Sequence, residues 1–157
     1  MCIRDRKKSR CVSQLVEICK ELASWEGHKI EGVGGLQLCE YWFDREGSKP
    51  DFTQDNLRRN CEQMGMDCSE LEFSHCNLSP GNVLYDNDRL AIIDREVAGF
   101  VPRDWIRTKF RICLAMNLDD DAEDPGEWRR RVQLMVGEAS FHEIANEFMV
   151  WLAESSS

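Results

Sequence analysis

The sequence predicts an α+β fold that is mostly helical and contains one small β-hairpin. Apolar residues recur at helical spacing in five segments, whereas β-rich runs occur together in one place, over residues 83–85 and 90–93. The chain has 157 residues, of which 42% are hydrophobic, so it is long enough to bury a core. We therefore expect one compact unit over residues 11–153.

The first predicted helix covers residues 11–25, with Leu15, Cys19 and Leu22 on one face. Residues 1–10 are expected to be a non-native or disordered leader. The start of the chain back-translates to the transposon end used in sequencing libraries, which also suggests truncation, and such segments are left out of fold reasoning. Residues 154–157 are expected to be a disordered tail.

A glycine-bearing loop leads to a second predicted helix over residues 51–65. Asp51 and Gln54 are spaced as a capping box for this helix. Its apolar stripe consists of Leu57, Cys61 and Met64. The loop contains a glycine cluster, Gly32, Gly34 and Gly35. These glycines lack the flanking strands of a phosphate-binding loop, so we do not interpret them as one.

The two β-rich runs predict a hairpin because turn-forming residues, 86–89, lie between them. Asn82 comes directly before the first run, and Asp94 follows the second. A hairpin would therefore return Asp94 to the neighbourhood of Asn82.

Three further helices are predicted after the hairpin. They cover residues 105–118, 127–136 and 141–153. Gly137 suits the break between the last two, and Ser140 with Glu143 is spaced as a capping box. The apolar stripes of these helices are interpreted as core. An acidic stretch, Asp119 to Asp124, is either a solvated surface loop or a carboxylate cluster that attracts cationic substrates.

Composition argues against several classes of function. The formal net charge is -9 and the pI is about 4.9, the opposite of the balance expected in a nucleic-acid-binding protein. No apolar stretch is long enough for a membrane helix. None of the eight cysteines forms a CxxC pair, and His28 and His142 lack partners at metal-ligand spacing. We expect a cytoplasmic protein with reduced thiols.

The residues whose side chains could take part in catalysis or metal binding lie on either side of the hairpin, in HCNLSPGN (75–82) and IIDREVAG (92–99). Phosphoryl transfer needs a group that orients the attacking hydroxyl and oxygen ligands that hold Mg²⁺ on the phosphates. Position 77, Asn82 and Asp94 would supply such a cluster. In the alternative interpretation, Asn77 and Asn82 are turn residues and Asp94 caps a strand end.

These two motifs resemble the aminoglycoside phosphotransferase and choline kinase-like family, especially its fungal members. The family pattern is HGDLxPxN, a short hairpin and IIDWExAG. The segment GVGGLQLCEYWF (32–43) is similar to the family's GSVGGGPCRDYRF stretch. The resemblance covers residues 11–152. It implies the C-terminal lobe of a protein kinase-like fold, without the β-rich N-terminal lobe that covers ATP.

The resemblance also implies roles for individual residues. Asn82 and Asp94 match the ligands of Mg²⁺, and therefore the cofactor site, while His75 matches a structural histidine. Asn77 stands where the family has the aspartate that accepts or orients the substrate proton. An amide does not take up a proton at neutral pH, although its oxygen still accepts a hydrogen bond. General base catalysis contributes about 10²- to 10⁴-fold, so catalysis is expected to be impaired.

Two further departures flank these positions: Cys76 replaces the family glycine, and Arg95 replaces the family tryptophan. Glu96 keeps the family residue and is a candidate support for the metal or the substrate. Three interpretations stay open. The first is a fragment of a kinase that transfers the γ-phosphate of ATP to a small-molecule hydroxyl, with weak or absent binding of Mg²⁺ and ATP by this chain alone. The others are a non-enzymatic pseudokinase that binds a ligand or partner, and an unrelated helical domain.

Overall fold

The computed structural model describes residues 3–44, 49–117 and 124–155. Within these ranges the chain forms five α-helices and five short β-strands, which confirms the predicted α+β class. The helices are α1 (Ile3–Ala23), α2 (Gln54–Gln63), α3 (Arg103–Ile112), α4 (Glu127–Glu138) and α5 (Ala145–Ser155). The strands are β1 (Glu26–Gly27), β2 (Leu71–Ser74), β3 (Val83–Asp86), β4 (Arg89–Ile92) and β5 (Gly99–Pro102).

The strands form two antiparallel sheets. One has the order β1-β2-β5, and the other is the β3-β4 hairpin, which confirms the hairpin prediction. Its turn residues, Asn87 and Asp88, have φ values of 47° and 60°. Two positive φ values in a two-residue loop are typical of a type I′ turn, whose twist matches that of the strands, and Asn and Asp tolerate this conformation.

The core lies between the helices and the three-stranded sheet. α1 packs against α4 and β2, and α3 packs against α4 and α5. Trp105 is fully buried at its centre, with its ring centroid 4.6 Å from that of Phe43 and 5.9 Å from that of Phe148. Phe148 belongs to an apolar stripe predicted from helical spacing, so the interpretation of that stripe as core is confirmed.

α1 begins eight residues before its predicted start. The segment from Ile3 to Arg10 continues the helix and is rich in arginine and lysine, which are good helix formers. That residues 1–10 are a non-native or disordered leader stays a prediction. The guanidinium of Arg10 pairs with Asp88 of the hairpin turn at 2.8 Å. At the other end of the chain, α5 continues through Glu154 to Ser155, into the predicted tail.

α2 begins at Gln54, three residues later than predicted, so Asp51 does not cap it. The Asp51 carboxylate instead accepts a hydrogen bond from the Thr53 amide at 3.0 Å, and this bond lowers the pKa of Asp51. The glycine cluster forms a short 3₁₀ turn, Val33–Gly35, with a positive φ of 70° at Gly34. Gly32 pairs with Gly99 through an isolated β-bridge.

The helices after the hairpin also begin and end at residues other than those predicted. α3 starts two residues early and ends at Ile112, where a 3₁₀ turn over Leu114–Met116 follows. Gly137 lies inside α4, and the chain turns at Ser140, whose φ is 66°. A Cβ on Gly137 would lie 2.5 Å from the Arg107 guanidinium carbon, so this glycine makes room for Arg107.

α5 starts at Ala145, four residues after its predicted start. The predicted capping residue Glu143 accepts a hydrogen bond from the Ala145 amide at 2.8 Å. Of the acidic stretch, Asp119 to Glu123 fall outside the described residues. Asp124 is exposed and pairs with Arg130, so its described contacts are those of a surface residue. No helix in the described ranges combines the length and apolar character needed to cross a bilayer.

Candidate functional site

The candidate site is the segment from His75 to Asn82, called here the 75–82 loop, together with the residues that follow β4. The loop connects β2 to β3 and ends in a 3₁₀ turn, Pro80–Asn82. At the base of the hairpin the Ile93 amide donates a hydrogen bond to the Asn82 carbonyl at 3.0 Å. The hairpin therefore returns the chain, with Asp94 next in sequence, to Asn82 as predicted.

The Asn82 side chain links the two ends of the loop. Its Nδ2 donates a hydrogen bond to the carbonyl oxygen of Asn77 at 3.0 Å. This bond fixes the amide orientation, because the nitrogen must face Asn77. The Oδ1 atom of Asn82 accepts no hydrogen bond within the described part of the chain. Asn82 thus has an oxygen available to a ligand while its nitrogen holds the loop closed.

His75 is buried beneath the loop, with 1% of its surface exposed. Its Nε2 lies 2.9 Å from the Ile93 carbonyl. A carbonyl only accepts hydrogen bonds, so Nε2 carries the proton and Nδ1 is left as an acceptor. Burial lowers the pKa of His75, against smaller opposing effects from the Ile93 carbonyl, the Asp94 charge and the Asn77 main chain. The ring thus ties the loop to the residue that follows β4, and its role as a structural histidine of the site stays a prediction.

Two residues of the site have backbone conformations that favour glycine. Cys76 has a φ of 60° and Asp94 a φ of 61°. For Cys76 this conformation costs about 1–2 kcal/mol, whereas an aspartate such as Asp94 tolerates it, as Asp88 does in the hairpin turn. At position 76 the conformation explains why a glycine suits the resembling motif. Cys76 is also buried, which raises the pKa of its thiol to about 12 and leaves it unreactive.

The side chains that would meet a substrate lie at the surface. Asn77 is half-buried, whereas Asp94, Arg95 and Glu96 are exposed. Among the described residues, the Glu96 carboxylate forms no ion pair or hydrogen bond with the other candidates. Its role as a support for the site stays a prediction.

A buried ion pair beneath the loop was not predicted from the sequence. The Lys109 ammonium pairs with the Glu40 carboxylate, which also accepts a hydrogen bond from Trp105 Nε1 at 3.2 Å. The charges of both residues influence the pKa of Cys76, so the pair lies close to the loop. The sequence does contain one sign of this pair, a glutamate inside the apolar run LCEYWF. A glutamate buried among apolar residues nearly always has a charged partner.

The candidate residues Asn82 and Asp94 offer a metal ion only oxygen ligands. No group of three or more His, Cys, Asp or Glu side chains in the described ranges is arranged to hold a metal ion. Asn82 Oδ1 and the Asp94 carboxylate suit Mg²⁺ chemically, since Mg²⁺ binds one or two protein oxygens and completes its shell with water and substrate phosphates. The donor set therefore fits a nucleotide-bound Mg²⁺ better than a permanent metal centre.

No protein-family model matches this chain, and no curated protein or solved structure does either. The kinase-like interpretation therefore depends on the residue pattern and on the geometry of the loop and hairpin.

Proposed function

We propose that this chain is a phosphotransferase-like lobe that keeps the metal-binding half of its site and lacks the catalytic base. The observation that supports this proposal is the pair of hydrogen bonds made by Asn82. Its side chain holds the Asn77 carbonyl, and its main chain holds Ile93, next to Asp94. A single asparagine thus gathers the three positions that phosphoryl transfer needs.

The chemistry of each position follows from its side chain. Asn82 Oδ1 and the Asp94 carboxylate would hold Mg²⁺, which when bound neutralises charge on the ATP phosphates. Asn77 accepts a hydrogen bond from a small-molecule hydroxyl and orients it, but it takes up no proton. Transfer of the γ-phosphate is therefore slow, or is not the function of this chain.

A non-enzymatic pseudokinase is the second candidate. Asn77 removes the base, and Arg95 places a long cation beside the position of the metal ligand. These changes suit a lobe that binds a ligand or a protein partner without turning it over. Both candidates predict a weak interaction with nucleotide, because the described glycine cluster forms a surface turn rather than a cover for phosphates.

Nucleotide binding is the first test. We expect calorimetry to show at best millimolar affinity of this chain for Mg·ATP, and Asp94→Ala to abolish what binding there is. Asp86→Ala is the matched control, because Asp86 is an exposed carboxylate at the other end of the hairpin. Micromolar affinity for Mg·ATP that survives Asp94→Ala would contradict the assignment of the metal site.

Restoring the carboxylate is the second test. At saturating Mg·ATP, Asn77→Asp should raise the rate of phosphate transfer to hydroxylated acceptors by about 10²-fold or more, the usual contribution of a general base. ADP release with aminoglycosides, choline and simple alcohols measures this rate. Asn87→Asp, in the hairpin turn, makes the same chemical change away from the site and should have no effect. Robust turnover by the Asn77 form, or bound nucleotide with no gain in Asn77→Asp, would reject a kinase disabled at its base.

A further inference from the structure

A groove of about 390 Å³ lies between the carboxyl end of α2 and α5, away from the 75–82 loop. Its floor is formed by Met64 and Trp151, which are both buried. Trp151 Nε1 donates a hydrogen bond to Gln63 Oε1 at 3.4 Å and so connects the two sides. On the rim, Val150 is 60% exposed, although the solvent-facing positions of a surface helix are normally polar. In the described part of the chain, the groove is therefore an apolar surface open to solvent.

The groove carries negative charge. Its described wall contains two carboxylates, Glu147 and Glu154, which are both exposed, and no lysine or arginine. The carboxyl end of a helix has a partial negative charge, and neither α2 nor α5 has a basic residue in its last turn to offset it. An occupant that fits the groove therefore has an apolar face flanked by cations.

The spacing of the two carboxylates favours a helical occupant. Glu147 and Glu154 are seven residues apart on α5, which is about 10.5 Å along the helix axis. A second helix lying along α5 repeats its own side chains at the same interval, so cations seven residues apart meet both carboxylates while apolar residues between them cover Val150. In an extended strand this distance spans about three residues, and side chains three residues apart point to opposite faces. A strand therefore aims only one of its cations at the groove.

Other occupants fit this charge pattern less well. Nucleic acids and anionic lipid surfaces carry phosphates, which the two carboxylates repel. A two-fold dimer of this chain would bring the same patch against itself, so carboxylates would face carboxylates. The formal net charge of -9 adds to that repulsion.

We propose that the groove is a docking surface for a basic amphipathic helix of a partner protein. The apolar stripe of that helix covers Val150 and the floor, and lysine or arginine side chains on its flanks pair with Glu147 and Glu154. No residue of the 75–82 loop lines the groove. Docking therefore needs neither Mg²⁺ nor ATP, and it stands or falls separately from the proposed phosphotransfer.

The test uses the whole chain and three fluorescent peptides, each about four helical turns long and capped at both ends. The lysine peptide has a stripe of leucines flanked by lysines seven residues apart. The glutamate peptide has glutamates in place of those lysines, and the scrambled peptide has the composition of the lysine peptide without the stripe. Fluorescence anisotropy should show micromolar affinity for the lysine peptide and binding at least about tenfold weaker for the other two.

Replacing the apolar rim tests where the lysine peptide binds. Val150→Gln should weaken its binding about tenfold, because the peptide no longer buries a valine. Leu134→Gln is the matched control, because Leu134 is also 60% exposed, on α4. It should leave the affinity unchanged.

Replacing the carboxylates tests the charge pattern. Glu147→Gln together with Glu154→Gln should weaken the lysine peptide about fivefold and make its affinity less dependent on salt. The same double replacement at Glu17 and Glu21, two exposed carboxylates of α1, changes the net charge equally and should have neither effect.

Four results would overturn the proposal. The first is equal affinity for the lysine and glutamate peptides, and the second is equal affinity for the lysine and scrambled peptides. The third is a variant of the groove that binds the lysine peptide as tightly as its matched control. The fourth is sedimentation that shows the chain to be a dimer and Val150→Gln to be a monomer, because a second copy would then cover the groove.

Discussion

Replacing Lys109 with methionine should destabilise the fold by about 3–5 kcal/mol, the usual cost of breaking a buried ion pair from one side. Lys109 is 8% exposed and its partner Glu40 is 3% exposed. Without the ammonium, the Glu40 carboxylate keeps two N–H donors, Trp105 Nε1 at 3.2 Å and the Trp42 amide at 3.5 Å. Neither donor carries a charge, so the carboxylate would stay buried without a counterion.

Urea unfolding followed by tryptophan fluorescence measures this loss. With a slope of about 2 kcal/mol per molar urea, the expected destabilisation lowers the midpoint by about 1.5–2.5 M. Lys20→Met is the matched control, because Lys20 pairs with Glu17 at the surface, where the two side chains are 44% and 69% exposed. An exposed pair contributes about 1 kcal/mol or less, so this variant should unfold close to the wild type.

The double variant Glu40→Gln, Lys109→Met isolates the electrostatic contribution. A neutral glutamine has one acceptor oxygen, which keeps the bond from Trp105 Nε1 and gives up the longer one from the Trp42 amide at 3.5 Å. Because it leaves no unpaired charge in the core, part of the lost stability should still return. If Lys109→Met unfolds no earlier than Lys20→Met, or if the double variant is less stable than Lys109→Met alone, the loss does not come from an unpaired buried charge.

Two further outcomes follow from the pKa shifts. Because burial lowers the folded-state pKa of His75 below the unfolded value of about 6.5, the folded chain binds fewer protons there. The free energy of unfolding should therefore fall as pH drops below about 6.5 toward the folded pKa. Urea titrations should show a weaker dependence for His75→Gln but not for His142→Gln, and equal slopes would contradict this. Burial raises the pKa of Cys19 and Cys76 to about 12, so a thiol reagent at about pH 8 should label the half-buried Cys39 before either of them. Peptide mass spectrometry that finds Cys76 labelled as fast as Cys39 would refute this.

The α+β class and the hairpin could be predicted because their signals are local. Alternating β-rich residues on both sides of Asn87 and Asp88 define the hairpin without reference to the rest of the chain. Helical spacing likewise located the five helices in the described part of the chain, since each buries an apolar stripe against its neighbours.

The start of α5 could not be predicted, because contacts with α3 decide it. Phe141 and Ile144 have helical spacing with Phe148, but both lie in a loop, where Phe141 is buried and Ile144 is partly buried. The Arg107 guanidinium donates to the Phe141 carbonyl at 3.1 Å, and the Ile144 amide donates to Thr108 Oγ1 at 2.9 Å. These bonds replace the ones that a helical turn would have made, so tertiary contacts prevail over spacing.

Glu40 is a second feature, at the candidate site, that the sequence alone could not predict because tertiary contacts decide it. Its partners Trp105 and Lys109 are 65 and 69 residues away along the chain. A sequence shows that a charge falls within an apolar run, but the identity of its partner depends on the packing of α3 beneath the loop.

The geometry of the 75–82 loop does not depend on the side chain at position 77. Asn82 binds the carbonyl of Asn77, His75 binds the carbonyl of Ile93, and Ile93 binds the carbonyl of Asn82. Every one of these bonds uses a main-chain oxygen, so aspartate and asparagine at position 77 leave them equally intact. The scaffold of the site is thus separable from its proton chemistry, and Asn77→Asp should change the rate without changing the fold. Equal urea midpoints of the two forms would make a change in activity attributable to the carboxylate alone.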